Sequence, residues 1–222
     1  MKKDYAPEMV TAFIRLNGAT VGCVANRSEV YTDGEKTATY DAALTAAGCE
    51  KAAAFVNFCN AFEIPVLTLV NVDGYKNCKC NEKKIAKAAA RLTYAFANAD
   101  VPKVTVVVGK ANGTAGLTMN SKSIGSDIVY AWKNAKIGVM EAAPAVKIMY
   151  ADEIAKADNA AALINEKAAQ YNEMQASALA AAKRGYVDDI IEASETRQRV
   201  AAAFEMLFTK REDRPSKKHG TI

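Results

Sequence analysis

A single histidine, His219, stands almost at the end of a 222-residue chain. A Ser–His or Cys–His nucleophilic pair would have to use it, and a chain end rarely holds the geometry such pairs need. Five cysteines, Cys23, Cys49, Cys59, Cys78 and Cys80, include one close pair, Cys78-Lys79-Cys80. A metal site on that pair would want further Cys or His partners close in sequence, and there are none, so no metal site is expected. No Gly-x-Gly-x-x-Gly follows a strand pattern and no Gly-x-x-x-x-Gly-Lys-Ser/Thr is present, which argues against dinucleotide and P-loop chemistry.

What remains is backbone chemistry at two strand-to-helix crossings. The first runs Val70-Asn71-Val72-Asp73-Gly74-Tyr75 and leads to a helix near Glu82. The second runs from Val108 and Gly109 through Asn112-Gly113-Thr114-Ala115-Gly116. At such crossings the first amides of the helix have no partner inside it and point outward with the positive end of the helix dipole. They can hold an oxyanion such as a thioester enolate. The small residues of the second crossing let a ligand approach the backbone closely.

The elements that must position these crossings follow from periodicity. Apolar runs at 11–16 and 20–25 flank Asn17-Gly18, a hairpin signal. A polar loop is expected over 26–40, turning at Asp33-Gly34. Ala52, Phe55, Val56, Cys59 and Phe62 recur at helical spacing over 48–62. Near-continuous apolar runs at 66–70 and 104–108 read as buried parallel strands. A helix over 82–99 lies between them, and a turn over 109–116 leads to a short helix through Met119. Short strands are expected at 128–132 and 136–140. Helix follows over 142–171, broken near Asp152 and Asp158, with one long helix at 165–183 closed by Gly185. A strand or turn at 187–191 and a helix over 194–210 capped by Ser194 complete the chain. Strand–helix alternation gives an α/β fold with partly parallel strands in one domain, 1–222.

Composition sets the remaining bounds. The chain is 50% hydrophobic and 24% charged, enough to bury a core and stay solvated. Its net charge of +4, with both signs interleaved, is too mild and too mixed for a nucleic-acid surface. The basic stretch from Lys210-Arg211 to Lys217-Lys218-His219 reads as a frayed terminus. An odd cysteine count without a framework indicates reduced thiols and a cytosolic setting. No apolar run reaches the roughly 20 residues of a membrane span, and the first residues carry no signal core.

Longer blocks carry a family resemblance. The run from Phe55-Val56-Asn57-Phe58-Cys59-Asn60 through Ile64-Pro65-Val66-Leu67-Thr68-Leu69-Val70 resembles the C-terminal, biotin-side domain of the acyl-CoA carboxyltransferases. That family includes propionyl-CoA carboxylase β subunits, transcarboxylases and biotin-dependent acyl-CoA decarboxylase α subunits. Similar blocks follow in the same order at 91–99, 101–106, Met119-Asn120-Ser121-Lys122, 127–132 and 184–191. The opening at 13–22 is similar to that domain's first hairpin.

The resemblance implies a crotonase-like β-β-α superhelix, a CoA thioester substrate and carboxybiotin on a carrier protein. It implies that CO2 moves between biotin and the α-carbon of an acyl-CoA of the propionyl/methylmalonyl or acetyl/malonyl type. It places the backbone donors at Thr114 and Ala115, with Gly113 allowing the turn. Asn112, Gly74, Tyr75, Lys84 and Ile85 are implied around the cofactor. The family's Tyr-Gly-Gly-Ala-Tyr stands here as Asn112-Gly113-Thr114-Ala115-Gly116, so two aromatic wall positions are absent. Threonine at 114 keeps its amide in place only with a negative φ. At the first crossing Glu82 is followed by Lys83-Lys84-Ile85-Ala86 in place of Gly-Gly-Ile-Ile. The lysines read as a solvated helix start or as contacts to CoA phosphates or a biotin carboxylate.

The resemblance begins at the family's second half. It therefore implies a half-site needing an N-terminal-half partner, a biotin carboxyl carrier protein and an oligomer, in a split subunit or an excised domain. Two other readings stand beside it: a biotin-dependent acyl-CoA decarboxylase component, and a non-catalytic assembly module.

Overall fold

The computed structural model describes residues 1–157 and 159–212. Strands β1 (Met9–Leu16) and β2 (Ala19–Asn26) form the expected antiparallel hairpin around Asn17-Gly18. The stretch expected as loop pairs as a second hairpin, β3 (Glu29–Thr32) and β4 (Glu35–Thr39), because Asp33-Gly34 is itself a hairpin turn. Strand β5 (Ala43–Leu44) leads to helix α1 (Ala46–Ala61), whose first turn is capped by the Thr45 hydroxyl accepting from the Gly48 amide. Its buried face carries Ala52, Phe55, Val56 and Cys59, the residues read from periodicity; Phe62 falls just past the helix and is exposed.

Strand β6 (Val66–Val72) is followed by β7 (Gly74–Tyr75), which pairs in parallel with β5. Helix α2 (Lys79–Asn98) begins three residues before Glu82. Strand β8 (Lys103–Asn112) begins one residue earlier and ends four residues later than expected. The stretch read as a turn from Gly109 is strand as far as Asn112, and helix α3 (Gly113–Thr118) starts at once. Strands β9 (Ile128–Trp132) and β10 (Lys136–Gly138) come next.

Helices α4 (Ala142–Met149) and α5 (Ala151–Lys156) meet at Tyr150, a break two residues before Asp152, which lies in the first turn of α5. Asp158 is outside the described residues. The single helix expected over 165–183 is two, α6 (Ala160–Met174) and α7 (Ala178–Lys183). The Ser177 hydroxyl makes the break, accepting from the Ala180 amide as the cap of α7. Strand β11 (Asp189–Ile191) precedes helix α8 (Thr196–Met206). Ser194 is not its cap: residues Ala193–Glu195 form a 3-10 turn. Thr196 ties the start of α8 to β9 instead, its hydroxyl accepting from Trp132 Nε1 at 2.9 Å.

The main sheet runs β1-β2-β6-β8-β9-β11, with β10 added on β8. Only the β1–β2 pair is antiparallel. One face packs α1 and α2 through Val56, Val70, Leu92, Phe96 and Val107. Its other face packs α8 through Val21, Val104, Val106, Val200 and Ala203. Burial on both faces is why β6 and β8 are apolar without alternation. Lys210 is not frayed. Its ammonium is ion-paired with Asp127 at 2.9 Å and Glu212 at 2.8 Å, and donates to the Val101 carbonyl. Residues 213–222, including His219, are outside the described residues.

Among the described residues no helix is long and apolar enough to cross a membrane, and no group of three or more His, Cys, Asp or Glu is placed to hold a metal ion.

Candidate functional site

Parallel sheets bind ligands beyond the carboxyl ends of their strands, where neighbouring strands part. Strands β6 and β8 are interrupted near those ends by a bulge, after which pairing resumes at Val72 and Ala111. Their register shifts between Val70 and Val72, and the Asn71 side chain fills the gap. Asn71 Oδ1 accepts from the Lys110 amide at 3.1 Å, and its own amide donates to Asn26 Oδ1 at 2.9 Å. Beyond this point the two crossings face each other across a cleft. It is lined by Asp73, Gly74, Tyr75, Asn112, Gly113, Thr114 and Ala115, and closed on the far side by Val139, Met140, Glu141 and Pro144.

Gly113 sets the turn into α3. Its φ is +57°, and a Cβ there would lie 2.9 Å from the Val139 carbonyl oxygen. Thr114 is not among the residues with positive φ, so its amide keeps the direction a glycine would give it. Gly116 is needed for packing: a Cβ there would meet the Ala111 carbonyl carbon at 2.7 Å. The missing aromatic at 116 thus coincides with α3 lying directly on the strand end.

Tyr75 is anchored under the same helix. Its hydroxyl is 3.1 Å from Thr118 Oγ1, which donates to the Thr114 carbonyl at 2.9 Å. The position of the ring and the start of α3 are therefore fixed together.

The lip of the cleft is charged. Lys110 Nζ lies 2.7 Å from Asp73 Oδ2 and 2.6 Å from Glu141 Oε1, and Asn112 Nδ2 donates to Asp73 Oδ1 at 2.9 Å. Burial works to lower the Lys110 pKa, but the bonds to Asp73 and Glu141 outweigh it and raise the value above the ordinary 10.5. A raised lysine pKa adds stability in full below the unfolded value and loses it as pH rises through the folded one. Lys110→Met is therefore expected to cost at most about 1 kcal/mol at neutral pH, because the Lys110 side chain is over a third exposed. Chemical denaturation across pH checks this: the gap between the two proteins should close only at alkaline pH above 10.5.

Six of the sequence-derived site residues meet here: Gly74, Tyr75, Asn112, Gly113, Thr114 and Ala115. Lys84 and Ile85 do not. Lys84 is on the exposed face of α2, and Ile85 packs against the core, because α2 starts at Lys79 and turns them away from the cleft. Sequence reasoning missed the Asp73–Lys110–Glu141 cluster. Its signal was the period of two: Lys110 and Asn112 share one face once β8 is extended to Asn112.

A deeper cavity of about 520 Å³ adjoins the cleft and shares Gly113, Thr114 and Val139 with it. Its floor is apolar, with Val70, Val107, Met119 and Val129, and Lys122 and Arg184 stand among its lining residues.

A family model described as the carboxyl transferase domain matches residues 1–222. The chain belongs to the carboxyl transferase domain family. It is 41% identical to the methylmalonyl-CoA carboxyltransferase 12S subunit of Propionibacterium freudenreichii subsp. shermanii, over 100% of this chain and 41% of that protein. It is also 41% identical to the methylmalonyl-CoA decarboxylase subunit alpha of Propionigenium modestum, over 98% of this chain and 41% of that one. The transcarboxylase 12S crystal structure, a hexamer with methylmalonyl-coenzyme A and methylmalonic acid bound, superimposes with a TM-score of 0.89 at 42% identity. That match covers 99% of this chain and 41% of the other. The expected crotonase-type α/β fold of this carboxyl transferase domain is borne out by that match. The chain spans about two-fifths of the length of these relatives.

Proposed function

We propose that residues 1–222 act as the biotin-facing half of an acyl-CoA carboxyltransferase site of the propionyl/methylmalonyl type. The observation that carries this reading is the meeting of both crossings in one cleft, with Thr114 and Ala115, in the first turn of α3, among its lining residues. The cleft fits a biotin ureido group. Gly113 leaves a hollow that a Cβ would fill, two amides can donate to a carbonyl oxygen, and Tyr75, Val139, Met140 and Pro144 give apolar walls. Carboxybiotin on a carrier protein supplies the CO2 unit when bound.

The residues of this chain do the rest by position. The Thr114 and Ala115 amides donate to the ureido oxygen and stabilise negative charge as it develops there. Tyr75 and Thr118 hold α3 so that both donors converge. Asp73, paired with Lys110 and Asn112, fixes the lip, with its charge compensated. No side chain acts as nucleophile or base, which agrees with a chain whose one histidine is His219.

The acyl-CoA and an N-terminal-half partner complete the site. The chain, mixed with such a partner and a biotinylated carrier, is expected to move labelled carboxyl from methylmalonyl-CoA to the carrier. Absence of transfer with every partner that co-assembles with it would reject this reading. The equal identity to the decarboxylase subunit alpha supports a second reading, in which the same half-site draws CO2 from an acyl-CoA onto biotin. Co-purification of a membrane subunit would favour it. A stable oligomer that binds neither biotin nor CoA would instead mark an assembly module.

A further inference from the structure

The cleft leaves one reactive cluster unused. Cys78 and Cys80 bracket the start of α2, three to five residues after Tyr75, with their Sγ atoms 3.0 Å apart. Both are free thiols; Cys80 is exposed and Cys78 half-buried. We propose that Cys78 and Cys80 form a reversible dithiol–disulfide site, oxidised by low-molecular-weight disulfides.

Three observations carry it. First, the sulfurs are about 1 Å beyond a covalent S–S bond, so closure needs only a small movement. A tetrahedral or linear metal site with S–metal bonds of about 2.3 Å would hold them well beyond 3.0 Å, and no third Cys, His, Asp or Glu is placed to join them among the described residues.

Second, the geometry separates the roles of the two thiols. Cys78 is the N-cap residue of a 20-residue helix, and its sulfur lies 3.0 Å from the Cys80 thiol at the positive start of that helix, with Lys76 adding positive charge. These lower its pKa, while the neighbouring Cys78 raises that of Cys80. Cys78 is thus the attacking thiolate and Cys80 the resolving thiol.

Third, the other cysteines are out of reach. Cys23, Cys49 and Cys59 are buried, and burial pushes their thiols up to about 11, 12 and 11.

The step balances. The Cys78 thiolate attacks one sulfur of the small disulfide, forms a mixed disulfide and expels one small thiolate. Cys80 gives up its proton and attacks the Cys78 sulfur, expelling the second small thiolate and closing the Cys78–Cys80 bond. The small disulfide gains two electrons and becomes two thiols; the two protein thiols lose them. Exposed disulfides in short rings are the readily reduced kind, so the change reverses with excess thiol.

Asn81 clamps this turn, its Nδ2 donating to the Lys76 carbonyl and its Oδ1 accepting from the Ala46 amide, both at 2.7 Å. Drawing Cys80 toward Cys78 strains that clamp, next to Tyr75.

The full chain, incubated with glutathione disulfide, is expected to lose two hydrogens in mass and two alkylatable thiols. Peptide mapping should place the bridge between Cys78 and Cys80. Cys80→Ser should stop at a mixed disulfide on Cys78, and Cys78→Ser should react at least tenfold more slowly. Dithiothreitol should restore both thiols. Stable mixed disulfides at both positions of the unmodified chain, or no reaction at either, would overturn the proposal. Equal rates for the two serine variants would overturn the assigned roles.

Discussion

Gly113→Val is expected to lower carboxyl transfer by the reconstituted pair about 10²–10³-fold, the loss typical of removing an oxyanion donor. Gly113 sits at φ +57°, a conformation a β-branched residue adopts only with strain. Its new Cβ would press on the Val139 carbonyl, 2.9 Å away, at the wall shared by the cleft and the deeper cavity. The chain relieves both by turning the start of α3, which re-aims the Thr114 and Ala115 amides. The cost to folding is smaller, about 1–3 kcal/mol for one strained residue. Transfer rates and melting curves on the same preparation separate the effects. A melting shift of a few degrees with activity intact would show that these amides do not serve the reaction.

Asn120→Val is expected to give the largest loss of stability, about 3–5 kcal/mol. Asn120 is fully buried at φ +58° and donates to Thr105 Oγ1 at 2.9 Å and Thr68 Oγ1 at 3.3 Å. The Thr105 hydroxyl in turn donates to the Asn120 carbonyl at 2.7 Å and lies 3.0 Å from Ser126 Oγ. Valine removes the donor to both hydroxyls, leaving Thr68 Oγ1 without that bond while Thr105 keeps the Asn120 carbonyl, and forces a β-branched residue into the left-handed region. At about 2–4 °C per kcal/mol, the melting temperature should fall by roughly 10 °C. Asn120→Gly keeps the backbone comfortable and loses only the side-chain bonds, so it should fall between wild type and valine. Equal melting of valine and wild type would refute the role given to this network. The Met119-Asn120-Ser121-Lys122 block is thus a structural signature, holding α3 onto β6 and β8.

What was legible in the sequence was whatever burial on both faces dictates. The apolar runs of β6 and β8, the periodic face of α1 and the hairpin at Asn17-Gly18 leave one physical solution each. Boundaries set by single polar contacts were not legible. The Ser177 cap splits a continuous helical pattern, and Asp33-Gly34 turns a polar loop into a hairpin because polar, exposed strands carry no apolar alternation. At the site, the glycines revealed the two turns, and the family resemblance supplied the six residues that meet there. Lys84 and Ile85 lie away from the cleft because both sit inside α2, past its first turn, where Ile85 packs on the core and Lys84 faces outward. The Asp73–Lys110–Glu141 cluster was hidden because its members come from three separate segments.

The central claim is that the Thr114 and Ala115 amides receive the ureido carbonyl. Titrating ¹⁵N-labelled chain with biocytin and following every backbone amide by NMR tests it most directly. The Thr114 and Ala115 resonances should move most, with smaller shifts at Gly74 and Tyr75, and Gly113→Val should abolish them. Saturable shifts centred elsewhere, or unchanged shifts in the valine variant, would contradict it.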